Sequence, residues 1–162
     1  MTAELGLNLQ LELAARLAVA LALGAVIGFE RELGRRPAGF RTHSLVALGS
    51  ALFTIVSAYA FTGPTVDPTR VAAQIVTGIG FVGAGTILHY RGSIRGLTTA
   101  ASLWSAAAVG MAAGAGMLVM AAVGTLLILI VLLLLERVEL MLRRWLGISE
   151  RPAQGDAGED GP

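Results

Sequence analysis

Glu30, Arg31 and Glu32 stand in a row, and Arg35, Arg36, Arg41, Thr42 and His43 follow within eleven residues. Carboxylates interleaved with guanidinium groups at this spacing can pair charges, hold anionic headgroups or gather into a polar cluster. Glu30 closes an apolar stretch, where an unpaired charge is costly, and Arg41 and Arg95 are the candidates to answer it. His43 opens the next apolar stretch. It and His89 are the only histidines, and neither has a carboxylate three or four residues away. A transition-metal site of imidazole and carboxylate therefore has little to build on. Mg²⁺ wants carboxylates and carbonyls. Asp67 and Glu30 fall on opposite sides of the second apolar stretch, so no acidic pair marks a cation path at mid-depth.

Further along lie Gln74, Thr77 and Thr86, then Thr98, Thr99, Ser102 and Ser105. Thr98, Ser102 and Ser105 share one helical face, and such hydroxyls bond either to their own backbone or across helices. Gln74 has no easy bond within its own helix and is expected to face the bundle interior. Trp104, deep in its stretch, wants an acceptor for its indole N–H. Ordinary packing and a small polar cavity both fit these residues. Gly78, Gly80 and Gly83 spell GxGxxG, but a dinucleotide site needs a preceding strand and an acid some 20 residues on, and after Asp67 the next acid is Glu136. What the run does show is a helix of little bulk at Gly78, Gly80, Gly83, Ala84 and Gly85, open to kinking or unwinding. Gly24 with Gly28, and Gly110 with Gly114, make GxxxG faces that let backbones approach, within one subunit or between two. No nucleophile elbow, zinc-protease motif or phosphate-loop lysine appears, so no enzyme is expected.

These residues sit in a chain of 162, of which 55% are hydrophobic and only 14% charged, against about a quarter in soluble domains. Mean hydropathy is +0.73. This composition excludes disorder and collagen and fits an all-α, polytopic membrane helix bundle. There is no Cys, hence no disulfide and no thiolate site. All 12 basic residues are Arg, and the net charge of +1 says nothing for nucleic acid. The N-terminus lacks the basic region of a signal peptide.

Charges divide the chain into spans expected at residues 13–29, 42–61, 71–90, 97–113 and 117–135. Residues 96–135 are uncharged, and as one helix they would reach about 60 Å, twice the hydrocarbon thickness. Gly114-Ala115-Gly116 is the natural place to turn back. Arg16 can snorkel outward and is spaced to pair with Glu12. Arg-rich loops alternate with nearly neutral ones, which predicts five spans with the N-terminus out and the C-terminus in. Making residues 97–113 re-entrant would put Arg-rich segments on both sides. Residues 1–12 then form a periplasmic N-terminus, 136–146 an amphipathic juxtamembrane segment anchored by Trp145, and 147–162 a disordered cytoplasmic tail.

Three blocks resemble the MgtC/SapB family of bacterial inner-membrane proteins: GFERELGRRPAGFRTHSLVALGSAL at 28–52, RVAAQIVTGIGFVGAGTIL at 70–88 and RGLTTAASLWSAAAVGMAAG at 95–114. The matching signature positions are Glu30, Arg31, Gly39, Arg41, Thr42, Gly78, Gly83, Gly85, Gly96, Leu97, Thr98, Thr99 and Ala100. The resemblance implies a hydrophobic domain of several helices, linked to growth in low Mg²⁺ and, in pathogens, to survival in macrophages. Some members are described as Mg²⁺ transporters, which would make the ion a substrate. The virulence-linked member is instead described as a regulator that binds the F-type ATP synthase, with Mg²⁺ as a signal. Many members add a cytoplasmic ACT-like domain, which this chain is expected to lack. The resemblance thus offers a regulator of other membrane machinery, with a solute transporter as the alternative. No cofactor is implied. The partners expected are the lipid bilayer, a membrane protein and a second copy in a homodimer.

Overall fold

The computed structural model describes residues 6–61, 63, 66–67, 69–90 and 93–146. The expected tail at 147–162, and residues 1–5 of the expected periplasmic N-terminus, lie outside the described residues.

Leu and Ala dominate the first helix, α1 (Leu7–Leu33), and both are strong helix formers. It ends in a Schellman motif: the Arg36 N–H donates to the Arg31 carbonyl and the Arg35 N–H to the Glu32 carbonyl, both at 3.0 Å. Arg35 supplies the left-handed residue at φ 52°, although Gly34 stands beside it. Helix α2 (Phe40–Tyr59) follows, its first N–H taken by the Glu32 carboxylate at 3.2 Å. Helix α3 (Thr69–Ala84) starts where Asp67 Oδ1 accepts both the Thr69 N–H, at 2.8 Å, and the Thr69 hydroxyl, at 2.7 Å. These bonds favour the ionised carboxylate and hold the Asp67 pKa below the usual range, the hydroxyl contributing most.

Strands β1 (Leu88–Tyr90) and β2 (Ser93–Arg95) pair antiparallel, Leu88 opposite Arg95 and Tyr90 opposite Ser93. This corrects the purely helical expectation and the third span expected to reach residue 90. The helix stops at Ala84 because Thr86 folds back on the Gly83 carbonyl with both its N–H, at 3.0 Å, and its hydroxyl, at 2.8 Å. Gly96, at φ 90°, then turns the chain into α4 (Leu97–Gly114). Helix α5 (Leu118–Ile130) runs on through a π-helical turn (Val131–Leu135) into α6 (Glu136–Trp145).

Helices α1, α2 and α4 pack together at the centre, with α3 against α2 and α4, and α5 against α4 and α1. The core is built of small side chains: Ala20, Ala51, Ala106, Ala113 and Ala121 join Ile27, Val109 and Leu132. The Phe side chains and most Leu point outward instead, with Phe81 86% exposed, while Leu13, Leu103 and Leu132 are buried. Between helices in lipid, close backbone contact does the work that burial of large apolar groups does in water. The helix at Leu7–Leu33, those at Phe40–Tyr59 and Leu97–Gly114, and the stretch Leu118–Leu135 are each long and apolar enough to cross a membrane. Helix α3 has 16 residues, about 24 Å of rise, and is shorter than the hydrocarbon layer.

Candidate functional site

The end of α1, the start of α2 and the start of α4 meet in a buried polar junction. Arg31, the last basic residue of α1, is 1% exposed. Its Nη1 lies 3.7 Å from Glu30 Oε2, so Glu30 is answered by its own neighbour rather than by Arg41 or Arg95, which are exposed. No hydrogen bond reaches Glu30 Oε2 among the described residues.

His43 is fully buried on the first turn of α2. Its Nδ1 donates to the Gly39 carbonyl at 3.0 Å, since a carbonyl can only accept. Its Nε2 lies 3.0 Å from Ser102 Oγ on α4, and Ser102 Oγ lies 2.8 Å from the Thr99 carbonyl. Ser44 turns its hydroxyl back to the Phe40 carbonyl at 2.8 Å. The junction thus joins α1 to α2 through the Glu32 carboxylate at the α2 start, and α2 to α4 through His43 and Ser102.

A second polar contact closes the far end of the bundle, about 22 Å away along α1. Arg16 pairs with Glu12 and donates to the Gly114 carbonyl, at 3.3 Å, and to the Tyr59 hydroxyl, at 3.4 Å. It ties α1 to the ends of α2 and α4 rather than only snorkelling to headgroups.

Both glycine pairs lie inside the chain. A Cβ on Gly24 would stand 2.7 Å from the His43 carbonyl oxygen, and one on Gly28 would stand 2.7 Å from the Phe40 Cα. Gly110 and Gly114 face the backbone of Ala47 and Ala51 in the same way. Helix α2 is therefore clamped between α1 and α4, each contact made backbone to backbone.

The glycines of α3 behave differently. Gly78 and Gly80 look onto open space, and only Gly83 is packed, against Ala100. The helix runs unbroken from Thr69 to Ala84 and is not unwound there. It touches the bundle through Ile79 and Gly83 and turns Gln74 outward, against the interior position expected. Gln74 and Gly78 line a cavity of about 350 Å³ between α2 and α3, with Ser50 and apolar side chains for the rest. Thr77, Gly85 and Thr98 are exposed, whereas Thr99 and Ser102 are buried. Trp104 is half exposed, beside a smaller apolar cavity. Of the basic cluster, Arg35, Arg36 and Arg41 stay on the surface with Thr42 half-buried, and Arg31 and His43 go in. Among the described residues no group of three or more His, Asp or Glu is placed to hold a metal ion.

A profile of the MgtC family matches residues 17–141, which contain the buried junction of Arg31, His43 and Ser102 and both glycine pairs, while Arg16 and Glu12 lie just before it. The chain belongs to the MgtC family. A putative magnesium transporter of Escherichia coli K12, YhiD, is 50% identical over 119 residues, 70% of this chain and 55% of that protein. Protein MgtC of Brucella abortus is 53% identical over 123 residues, 76% of this chain and 51% of its own. An uncharacterised protein of Haemophilus influenzae is 43% identical over 138 residues, 80% of this chain and 56% of its own. This MgtC-family chain thus spans about half the length of the curated relatives it matches. No solved structure matches it. Family membership and the four long apolar helices make it a multi-pass protein of the bacterial inner membrane.

Proposed function

We propose that this MgtC-family domain acts in Mg²⁺ homeostasis as a small regulator or interaction protein of other membrane machinery. The link to Mg²⁺ comes from its family and from the name of the YhiD relative. The observation that carries the regulator is the closed interior. Gly24 and Gly28 on one side of α2, and Gly110 and Gly114 on the other, bring backbone against backbone along the bundle centre. The hydroxyls beside that centre are spent locally: Thr54, Ser105 and Thr125 each donate to the carbonyl four residues back, at 2.8–2.9 Å. Such an interior favours a rigid body that presents surfaces over one that conducts an ion. In this reading the N-terminus lies outside and the C-terminus inside, with α3 as a short fifth crossing and the junction of Arg31, His43 and Ser102 on the cytoplasmic side. The F-type ATP synthase is the first partner to test.

A Mg²⁺ transporter is the second reading, favoured by the cavity that Gln74 lines between α2 and α3. Purified full chain in liposomes, with an internal Mg²⁺ indicator, separates the two. The regulator predicts no flux above protein-free vesicles from demonstrably folded protein, together with a stoichiometric membrane protein in affinity isolates from native membranes. Flux that Gln74→Ala or Glu30→Gln reduces would replace it with the transporter.

A further inference from the structure

We propose that His43 and Ser102 form a proton-binding site at the α2–α4 contact, whose neutral and protonated forms keep the same heavy-atom contacts. The argument is one of donors and acceptors. Three contacts run in a row: Gly39 carbonyl to His43 Nδ1 at 3.0 Å, His43 Nε2 to Ser102 Oγ at 3.0 Å, and Ser102 Oγ to the Thr99 carbonyl at 2.8 Å. Both ends of the row are carbonyls, which only accept. A neutral ring brings one proton, on Nδ1, and the serine brings one more. Two protons fill two of the three contacts, because the one Ser102 hydroxyl hydrogen serves either the Thr99 carbonyl or Nε2 and not both. A third proton completes the row: Nε2–H donates to Ser102 Oγ, and the hydroxyl hydrogen turns to the Thr99 carbonyl. In that step hydronium gives up a proton and leaves as water, its O–H bond breaking as an N–H bond forms at the Nε2 lone pair; the hydroxyl hydrogen is left to the Thr99 carbonyl, no bond between heavy atoms changes, and the site gains one positive charge.

The surroundings limit which charges answer that proton. Helix α4 carries no titratable residue along its whole length. From α1 the charge that bears on the ring is Arg31; Glu30 lies 3.7 Å from Arg31, and the exposed Glu32 holds the Phe40 N–H three residues before His43. On α2 itself Arg41 is exposed, as are His89 and Arg95 of the hairpin and Arg70 at the distant end of α3. Taking up the proton therefore sets a second positive charge beside Arg31, with Glu30 the acid at hand, where three helices meet. Entry needs only the first turn of α2 to open, because His43 lies three residues from its start. Occupancy links the charge of this junction to the pH on its own side of the membrane. The site stands on this geometry alone, so its failure would leave the regulator untouched.

The test is a titration of the full chain in lipid nanodiscs, with ring-¹⁵N histidine and His89→Gln so that only His43 reports. Between about pH 8 and about pH 4, Nδ1 should stay protonated while Nε2 passes reversibly from bare to protonated. Ser102→Ala removes the acceptor for the new N–H and should lower the midpoint by about one to two pH units. Ser102→Thr keeps a hydroxyl and should titrate near the wild type. An Nε2 that stays bare throughout in folded protein would overturn the site, as would a Ser102→Ala midpoint equal to the wild type. Should Ser102→Ala not fold, the wild-type Nε2 signal decides: bare throughout rejects the site, reversible protonation supports it.

Discussion

Arg16 on α1 donates to the Gly114 carbonyl at 3.3 Å, and so caps the last turn of α4 from a neighbouring helix. The carbonyls that end a helix lack partners within it, and in lipid the loss is severe. The same guanidinium reaches the Tyr59 hydroxyl at the end of α2 and the Glu12 carboxylate one turn earlier on α1. Arg16→Ala should destabilise the domain by about 1–2 kcal/mol. Glu12→Gln should cost at most about 0.5 kcal/mol, because Glu12 is 59% exposed and the pair is largely solvated. Denaturant titration in detergent reads both; equal losses would mean that the ion pair, not the cap, carries the effect.

The glycines sort into two classes that a single methyl group should separate. At Gly110 and Gly114 a Cβ runs into the Ala47 and Ala51 backbone, which cannot rotate away. Gly110→Ala should cost about 1–3 kcal/mol and lower folded yield. At Gly49, Gly78 and Gly80 nothing stands within 4 Å. Alanine there should be neutral or should stabilise by up to about 1 kcal/mol through helix propensity. A Gly78→Ala variant as damaged as Gly110→Ala would show that the open face of α3 is covered in the membrane.

The four long apolar stretches were legible because each depends on local composition, with charged residues or, at Gly114 and Gly116, glycines marking where they end. The glycine pairs were legible as packing faces, since GxxxG admits a backbone whatever its partner. Which partner they meet was not. His43 and Ser102 stand 59 residues apart, and nothing in either segment names the other. Glu30 was placed opposite distant arginines when the adjacent Arg31 answers it, because the burial of Arg31 follows from the tertiary junction and not from the loop. Gln74 turned outward for the same kind of reason. A helix that buries only Ile79 and Gly83 takes its rotation from them, and a polar side chain does not override that. The hairpin had a local signal in the alternation around His89 and Ile94, hidden by its continuity with an apolar helix.

Arg35 holds a left-handed conformation, φ 52°, at the position of the Schellman motif where glycine is favoured. Its side chain is exposed, so little packing is lost on replacing it. Arg35→Gly should stabilise the domain by about 1 kcal/mol, whereas Arg35→Ala keeps the strain and should not. The comparison also bears on function. If Arg35 is kept in that conformation to present its guanidinium to a partner or headgroup, the glycine variant should be more stable and bind less. Stability in detergent and recovery of partner in affinity isolates measure the two sides; a glycine variant no more stable than the alanine variant would remove the strain.

Asp67 gives α3 a start that depends on pH. Its Oδ1 accepts the Thr69 N–H and hydroxyl only while ionised to full effect, and its pKa is held below the usual range. The contribution is therefore complete above the ordinary Asp pKa and is lost as the pH falls through the lowered folded value. Amide exchange at Thr69 and Arg70, corrected for intrinsic rates, should speed up in that acid window. In Asp67→Ala the same amides should exchange fast at every pH, with no step. Because α3 is short and packs through few residues, this fraying should stay within its first turn and leave α1, α2 and α4 protected. Exchange spreading to α4 would mean that α3 holds the bundle more tightly than its Ile79 and Gly83 contacts provide.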